Sequence, residues 1–287
     1  RIELAAPAGH VAALVQLGKD IGDRGDWIAL WPGGRRGMDE LVPLATRIAA
    51  GGYRVLIHDR RNCGAGELAF DDRAPEFEIW ADDLHALLQH LGASPAIVGG
   101  FSSGCRLSLL LALKHPEAVR ALLLMRITGG AFAAERLAAK YYTDYIKRVE
   151  EGGMDALARD AHFRALIAAN PSNQARLQQF DAATFLRIMR AWRADLEAGA
   201  TMPVLGATEA QLRSLTMPAC VIPGRGRTHP IDVGERVHQL IAGSTWIPMQ
   251  LKQQDADFIP MEAWCDDATL AEQLLAFLKT LPATGAP

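Results

Sequence analysis

Ala96-Ile97-Val98-Gly99-Gly100-Phe101-Ser102-Ser103-Gly104-Cys105-Arg106-Leu107-Ser108-Leu109-Leu110-Leu111 is the stretch whose reading decides the fold. A short apolar run ends in glycines, two serines and a further glycine follow, and an apolar helical pattern takes over. Gly100-Phe101-Ser102-Ser103-Gly104 fits G-x-S-x-G, in which the middle serine sits on a tight, strained turn between a strand and a helix. Glycines suit such a turn because a Cβ would clash where strand and helix nearly touch. The turn lifts the Ser102 hydroxyl above the sheet edge. The helix N-terminus behind it offers N–H groups to a developing anion. Five residues alone are a weak signal, and the strand before and helix after supply the context the motif needs.

Outward from this turn, the chain has 287 residues, 49% of them apolar, enough for a large core in one α/β unit. A net charge of −3 makes no electrostatic case for nucleic acid or an anionic membrane. No apolar run approaches the ~20 residues of a membrane helix, and no signal peptide is visible. Cys63, Cys105, Cys220 and Cys265 are scattered without a C-x-x-C pair. Isolated thiols fit a reducing cytosol, so a cytoplasmic location is expected.

In chain order, Ile2-Glu3-Leu4 and Val11 to Val15 read as edge strands. Trp27-Ile28-Ala29-Leu30-Trp31 reads as a strand covered on both faces. Pro32-Gly33-Gly34-Arg35-Arg36-Gly37 follows it, then a helix from Met38 to Ala50 and a strand from Tyr53 to Ile57. A helix from Ile79 to Leu91 precedes the Ser102 stretch, and Val119 to Ile127 holds another strand. From Gly130 to about Ser214 the pattern is helical throughout. Strand character resumes at Ala219 to Ile222, a helix spans Ile231 to Ile241, and a last strand is read at Thr245 to Met249 before a final helix ending near Leu278. Strands alternating with helices imply right-handed βαβ units and a mainly parallel sheet. Three segments are expected: a first core part over 1–129, a helical insert over 130–214 placed at the C-terminal edge of the sheet, and a second core part over 215–287.

On these residues the chain resembles the α/β-hydrolases with a helical cap, over nearly its whole length. The resemblance implies an eight-stranded-type, mainly parallel sheet with helices on both faces. Asp59-Arg60-Arg61-Asn62-Cys63-Gly64 resembles the family's D-x-R-G-x-G turn, with Asn62 replacing a glycine. By the same resemblance the oxyanion hole is made by the N–H of Ser103 and that of Gly33 or Gly34. Two departures stand out. The family's acid lies in a G-x-D turn, where this chain has Gly224-Arg225-Gly226. Its histidine precedes an aromatic residue and a proline after the last strand, where this chain has Asp257-Phe258-Ile259-Pro260. No histidine follows His238, so the triad is degenerate by comparison with the family.

A serine hydroxyl needs a base to become a nucleophile. His229 is the candidate, on a loop at the cleft end of the sheet, with Asp257 or Asp255 as its orienting acid. Triads are defined by geometry rather than chain order, so an exchange of acid and base between loops is permitted. The plainer reading is a histidine that lines the pocket or precedes a helix. His58 is a second candidate, with packing beside a strand end as its plainer reading. Asp59 reads as a turn acceptor. Arg126 and Arg35 are candidates for an anionic substrate group, since guanidinium pairs with carboxylate through two parallel bonds. Trp31 is a candidate for substrate packing, against a place in the core.

The expected activity is hydrolysis of a small ester, lactone or other acyl compound, one bearing a carboxylate being possible, with Ser102 as nucleophile. A non-catalytic ligand-binding or sensor protein, and a lyase or isomerase using the oxyanion hole, stay open as alternatives. No cofactor or metal is expected. A small molecule is the expected partner, with neither nucleic acid nor membrane, and a homodimer is left open.

Overall fold

The computed structural model describes residues 2–4, 14–16, 18–22, 25–248 and 268–282. Among them lie β1 (Ile2–Leu4), β2 (Leu14–Gln16), β3 (Gly18–Ile21), β4 (Trp27–Trp31), β5 (Arg54–His58), β6 (Ala96–Phe101), β7 (Val119–Met125), β8 (Ala219–Ile222) and β9 (Thr245–Trp246). β1 and β2 pair only with each other. The other seven form one sheet in the order β3-β5-β4-β6-β7-β8-β9, in which β3 alone runs antiparallel.

The apolar runs explain this sheet. Along β4 the residues alternate, Ile28 and Leu30 into one core cluster, Ala29 and Trp31 into the other. A strand covered on both faces must be apolar on both, which is why its run is unbroken. On one face lie α1 (Val42–Ala50) and α11 (Ala268–Leu278), through Leu44, Ile48, Leu270 and Leu274. On the other lie α2 (Glu76–His90), α3 (Ser103–Lys114) and α10 (Ile231–Leu240), through Trp80, Leu84, Leu107 and Val237. No helix among the described residues is long and apolar enough to cross a membrane.

Between β7 and β8 every regular element of more than three residues is helical: α4 (Ala131–Ala138), a π-helical turn at Ala139–Thr143, α5 (Asp144–Ala158), α6 (Ala161–Ala169), α7 (Ser172–Gln178), α8 (Ala182–Ala198) and α9 (Glu209–Ser214). This insert has its own apolar cluster, built on Tyr142, Phe163, Phe185, Met189 and Trp192. Leu68, Phe70 and Ile79 of the core pack into it.

Several details depart from expectation. β3 is not apparent in the sequence, because Gly18-Lys19-Asp20-Ile21 is mostly polar. It forms an outer strand of the described sheet, specified by its pairing with β5. The described sheet has seven strands against the eight of the family plan. α2 begins at Glu76 rather than Ile79, because Glu76 is buried by pairing and not by apolarity. Its Oε2 accepts from Arg35 Nη2 at 2.7 Å and from the Tyr142 hydroxyl at 2.9 Å. Removing one member of such a buried pair strands the other charge at a cost of about 3–5 kcal/mol.

The turn at Ser102 is set by contact. A Cβ on Gly104 would lie 2.4 Å from the Trp31 carbonyl oxygen, and one on Gly100 2.5 Å from the same atom. Nothing flexible can yield there, since the obstacle is backbone. Gly104→Ala should therefore lower stability by about 2 kcal/mol or more, read as a fall in the urea midpoint at unchanged m. Glu76→Gln should destabilise by a comparable amount, and a circular-dichroism melt would register both.

Candidate active site

Ser102 joins β6 to α3 with φ 54° and ψ −110°, a left-handed backbone that a serine adopts only under constraint. Its amide donates to Met125 O at 3.1 Å, tying the turn to β7. Ser103 is the first residue of α3, so its N–H has no intrahelical carbonyl to bond. Gly33 faces the turn, and Gly34 lines the same chamber beside Tyr141. A Cβ on Gly33 would sit 3.2 Å from Ser102 Cβ, and Gly34 has φ 58°.

His229 reaches the serine. Its Nε2 lies 2.9 Å from Ser102 Oγ, which in turn lies 3.0 Å from Thr128 Oγ1. The loop is pinned by a Gly226–His229 bridge, with amides donating both ways at 3.3 and 3.0 Å. On the far side of the ring, Nδ1 faces Arg126 Nη2 at 3.5 Å. Arginine has no acceptor, so this contact makes Nδ1 the acceptor and assigns the ring proton to Nε2. Nε2–H then donates to Ser102 Oγ, which shares a further hydrogen bond with the Thr128 hydroxyl. A base poised for catalysis has the opposite arrangement. Burial, then Arg126 and Arg136, hold the imidazole down at about 3, so it stays neutral at any ordinary pH.

These groups line a chamber of about 310 Å³ between core and insert. Gly33, Gly34, Arg35, Arg36, Ser102 and Arg126 come from the core, and Arg136, Lys140, Tyr141 and Tyr145 from α4, the π turn and α5. Arg136 and Lys140 are not among the residues singled out from the sequence. Their i, i+4 spacing places them together. Thr128 was not singled out either.

Other candidates sort as follows. Arg126 lines the chamber, at φ 51°. Arg35 lines it too, but its Nη2 is committed to Glu76 and its guanidinium lies over the Tyr141, Tyr142 and Tyr145 rings at 5.3–5.8 Å. Trp31 is not a substrate contact: it is 0% exposed, and its Nε1–H donates to His58 Nδ1 at 3.1 Å. His58 is therefore a packing residue, held at about 3 by burial and Arg60. Asp59 accepts from the amides of Met38 and Ala65 at 2.7 and 2.9 Å, as a turn acceptor does. Asn62 occupies the glycine's place with φ 63°, a conformation that asparagine tolerates. Asp255 and Asp257 lie outside the described residues. Elsewhere, His85, His115 and Glu117 bring ligand atoms within 4.8 Å of one another. They sit by the opposite end of α3 from Ser102, and His115 Nε2 is already bonded to Asp82 Oδ1 at 2.9 Å.

The family model described as the alpha/beta hydrolase fold matches residues 28–185, the span from β4 through the serine turn into the insert. The chain belongs to this family. The chain is 34% identical over 99 residues to an uncharacterized hydrolase, YraK, of Bacillus subtilis (strain 168). That match covers 34% of this chain and 36% of the relative. Among solved structures, a thermophilic esterase from Thermogutta terrifontis superposes with a TM-score of 0.66 at 18% identity, over 99% of both chains. An enol-lactonase from Burkholderia xenovorans LB400 does so at 0.60 and 18% identity, over 93% of this chain and 96% of its own. At such identities the superpositions speak for the fold.

If Arg126 holds Nδ1 as described, His229 should show no protonation step near 6.5 in a ¹⁵N NMR titration, and its ¹⁵N shifts should report the Nε2–H tautomer. In Arg126→Gln the step should move upward, because a cation that penalises the protonated ring is gone.

Proposed function

We propose that this alpha/beta-hydrolase acts on a small ester or lactone through an acyl-enzyme on Ser102. The observation that carries this is the 2.9 Å contact between Ser102 Oγ and His229 Nε2, at a strained turn opening into a chamber of about 310 Å³. In the forward step Ser102 Oγ bonds to the acyl carbon and its proton passes to His229 Nε2. The carbonyl electron pair moves onto oxygen, where the N–H groups of Ser103 and of Gly33 or Gly34 would receive it. Collapse expels the alcohol, which takes the proton from Nε2. Water then repeats the sequence on the acyl-serine. For Nε2 to accept, the ring proton must first sit on Nδ1, and Arg126 must release that atom.

The related proteins support the reaction class. One relative is called a hydrolase, and two chains of the same fold are an esterase and an enol-lactonase. A second reading has its own support. His229 has a guanidinium where a triad has a carboxylate, which suits a ligand-binding protein that has lost its base.

Hydrolysis of p-nitrophenyl butyrate separates the two. Turnover by the wild type, with kcat/KM down about 10³-fold or more in both Ser102→Ala and His229→Ala and no further loss in the double variant, is the expected result. Activity should also hold down to about pH 5, since the base is the neutral ring and its protonation is displaced to about 3. Equal rates in all variants would leave the ligand-binding reading.

A further inference from the structure

The chamber's charge is one-sided. Arg126 follows β7, Arg136 lies on α4 and Lys140 in the π turn, while Arg35 and Arg36, on the loop after β4, are paired with Glu76 and Glu40. No carboxylate is among the described lining residues. Neither Arg136 nor Lys140 enters an ion pair among the described residues. Arg35, with its side chain 4% exposed, leaves Nε and Nη1 without hydrogen-bond partners once Nη2 has met Glu76.

These cations act on one another. Burial lowers the Lys140 ammonium, and Arg36 and Arg136 lower it further. Burial, then Arg36, push Arg126 down to about 10. The effect is local, because the whole chain carries −3. Like charges gathered around a low-dielectric hollow repel until an anion enters, and the same walls focus their field on it.

Resting on the acyl-hydrolase reading, we propose that the substrate carries a carboxylate, seated between Arg126 on the core side and Arg136 and Lys140 on the insert side, with its acyl carbon over Ser102. A carboxylate taking two parallel bonds from Arg126 draws that guanidinium off His229 Nδ1. Nδ1 can then hold the ring proton, and Nε2 can accept from Ser102. The anion is thus both the recognition element and an aid to freeing the base, whereas a neutral ester lacks the anchor and must wait for Arg126 to leave Nδ1 unaided.

Two measurements test this. In the first, Ser102→Ala is titrated by calorimetry with mono-methyl adipate and with dimethyl adipate. The monoanion should bind about tenfold tighter or more. Its advantage should shrink with added salt and in Ser102→Ala carrying Arg136→Gln or Lys140→Gln, both exposed helix positions. Equal affinity, tighter binding of the diester, or no binding of either overturns the proposal, whatever the protein hydrolyses. In the second, kcat/KM for mono-p-nitrophenyl adipate is compared with that for p-nitrophenyl hexanoate. The carboxylated ester should be favoured about tenfold or more, through kcat as well as KM, and Arg126→Gln should erase the preference. The reverse order overturns the proposal. Selective monoanion binding with neither ester hydrolysed would keep the anion site and sink the acyl-hydrolase reading instead.

Discussion

The Trp31 carbonyl oxygen is the contact on which the serine turn depends. Strand β4 ends against the turn that leads into α3, and this oxygen sits where Cβ atoms on both Gly100 and Gly104 would lie. Only glycines let the two segments come so close, and the approach leaves the chain no relaxed path between β6 and α3. Ser102 absorbs the difference as a left-handed backbone. The height of its hydroxyl, and the facing of Gly33 toward it, follow from a contact between main chains that involves no catalytic side chain. The apolar faces of the sheet then hold that contact in place, because β4 and β6 are neighbours buried on both sides.

Above this rigid floor the insert is attached by a polar tie. Glu76 receives Arg35 from the core loop and Tyr142 from the insert, and Asn62 Nδ2 approaches its other oxygen at 3.4 Å. Three parts of the chain distant in sequence meet on one carboxylate. A buried ion pair is seldom the most stabilising way to fill space, but it specifies which groups must meet. Here it sets the roof over the serine and neutralises Arg35 beneath it.

Much of this was legible in the sequence, and for identifiable reasons. Apolar runs such as Trp27–Trp31 and Ala219–Ile222 report burial on two faces, so their bounds could be read directly. The G-x-S-x-G spacing reports a steric requirement, and the helix after it begins at Ser103 as the pattern implied. What escaped reading depends on pairing in space. β3 is defined by its neighbour and not by its side chains. Glu76 begins a helix because residues far along the chain bury it. Trp31 borders the oxyanion loop, which leaves substrate packing and the core both open from the sequence, and the alternation of β4 turns it into the core. His229 was found by its place in the topology, but the guanidinium behind it came from a different strand end, and no local pattern announces that meeting.

The π turn at Ala139–Thr143 offers a last consequence. It seats one residue more than an ordinary turn of helix, and its own Lys140 and Tyr141 line the chamber with the serine while Tyr142 reaches down to Glu76. Losing or gaining a single residue at that point would swing the following helix by about 100°. Side chains now overhanging the hollow would trade places with ones packed inside the insert, while the sheet stayed as it was. Segment length, quite apart from composition, is therefore a dial on which molecules this roof lets in.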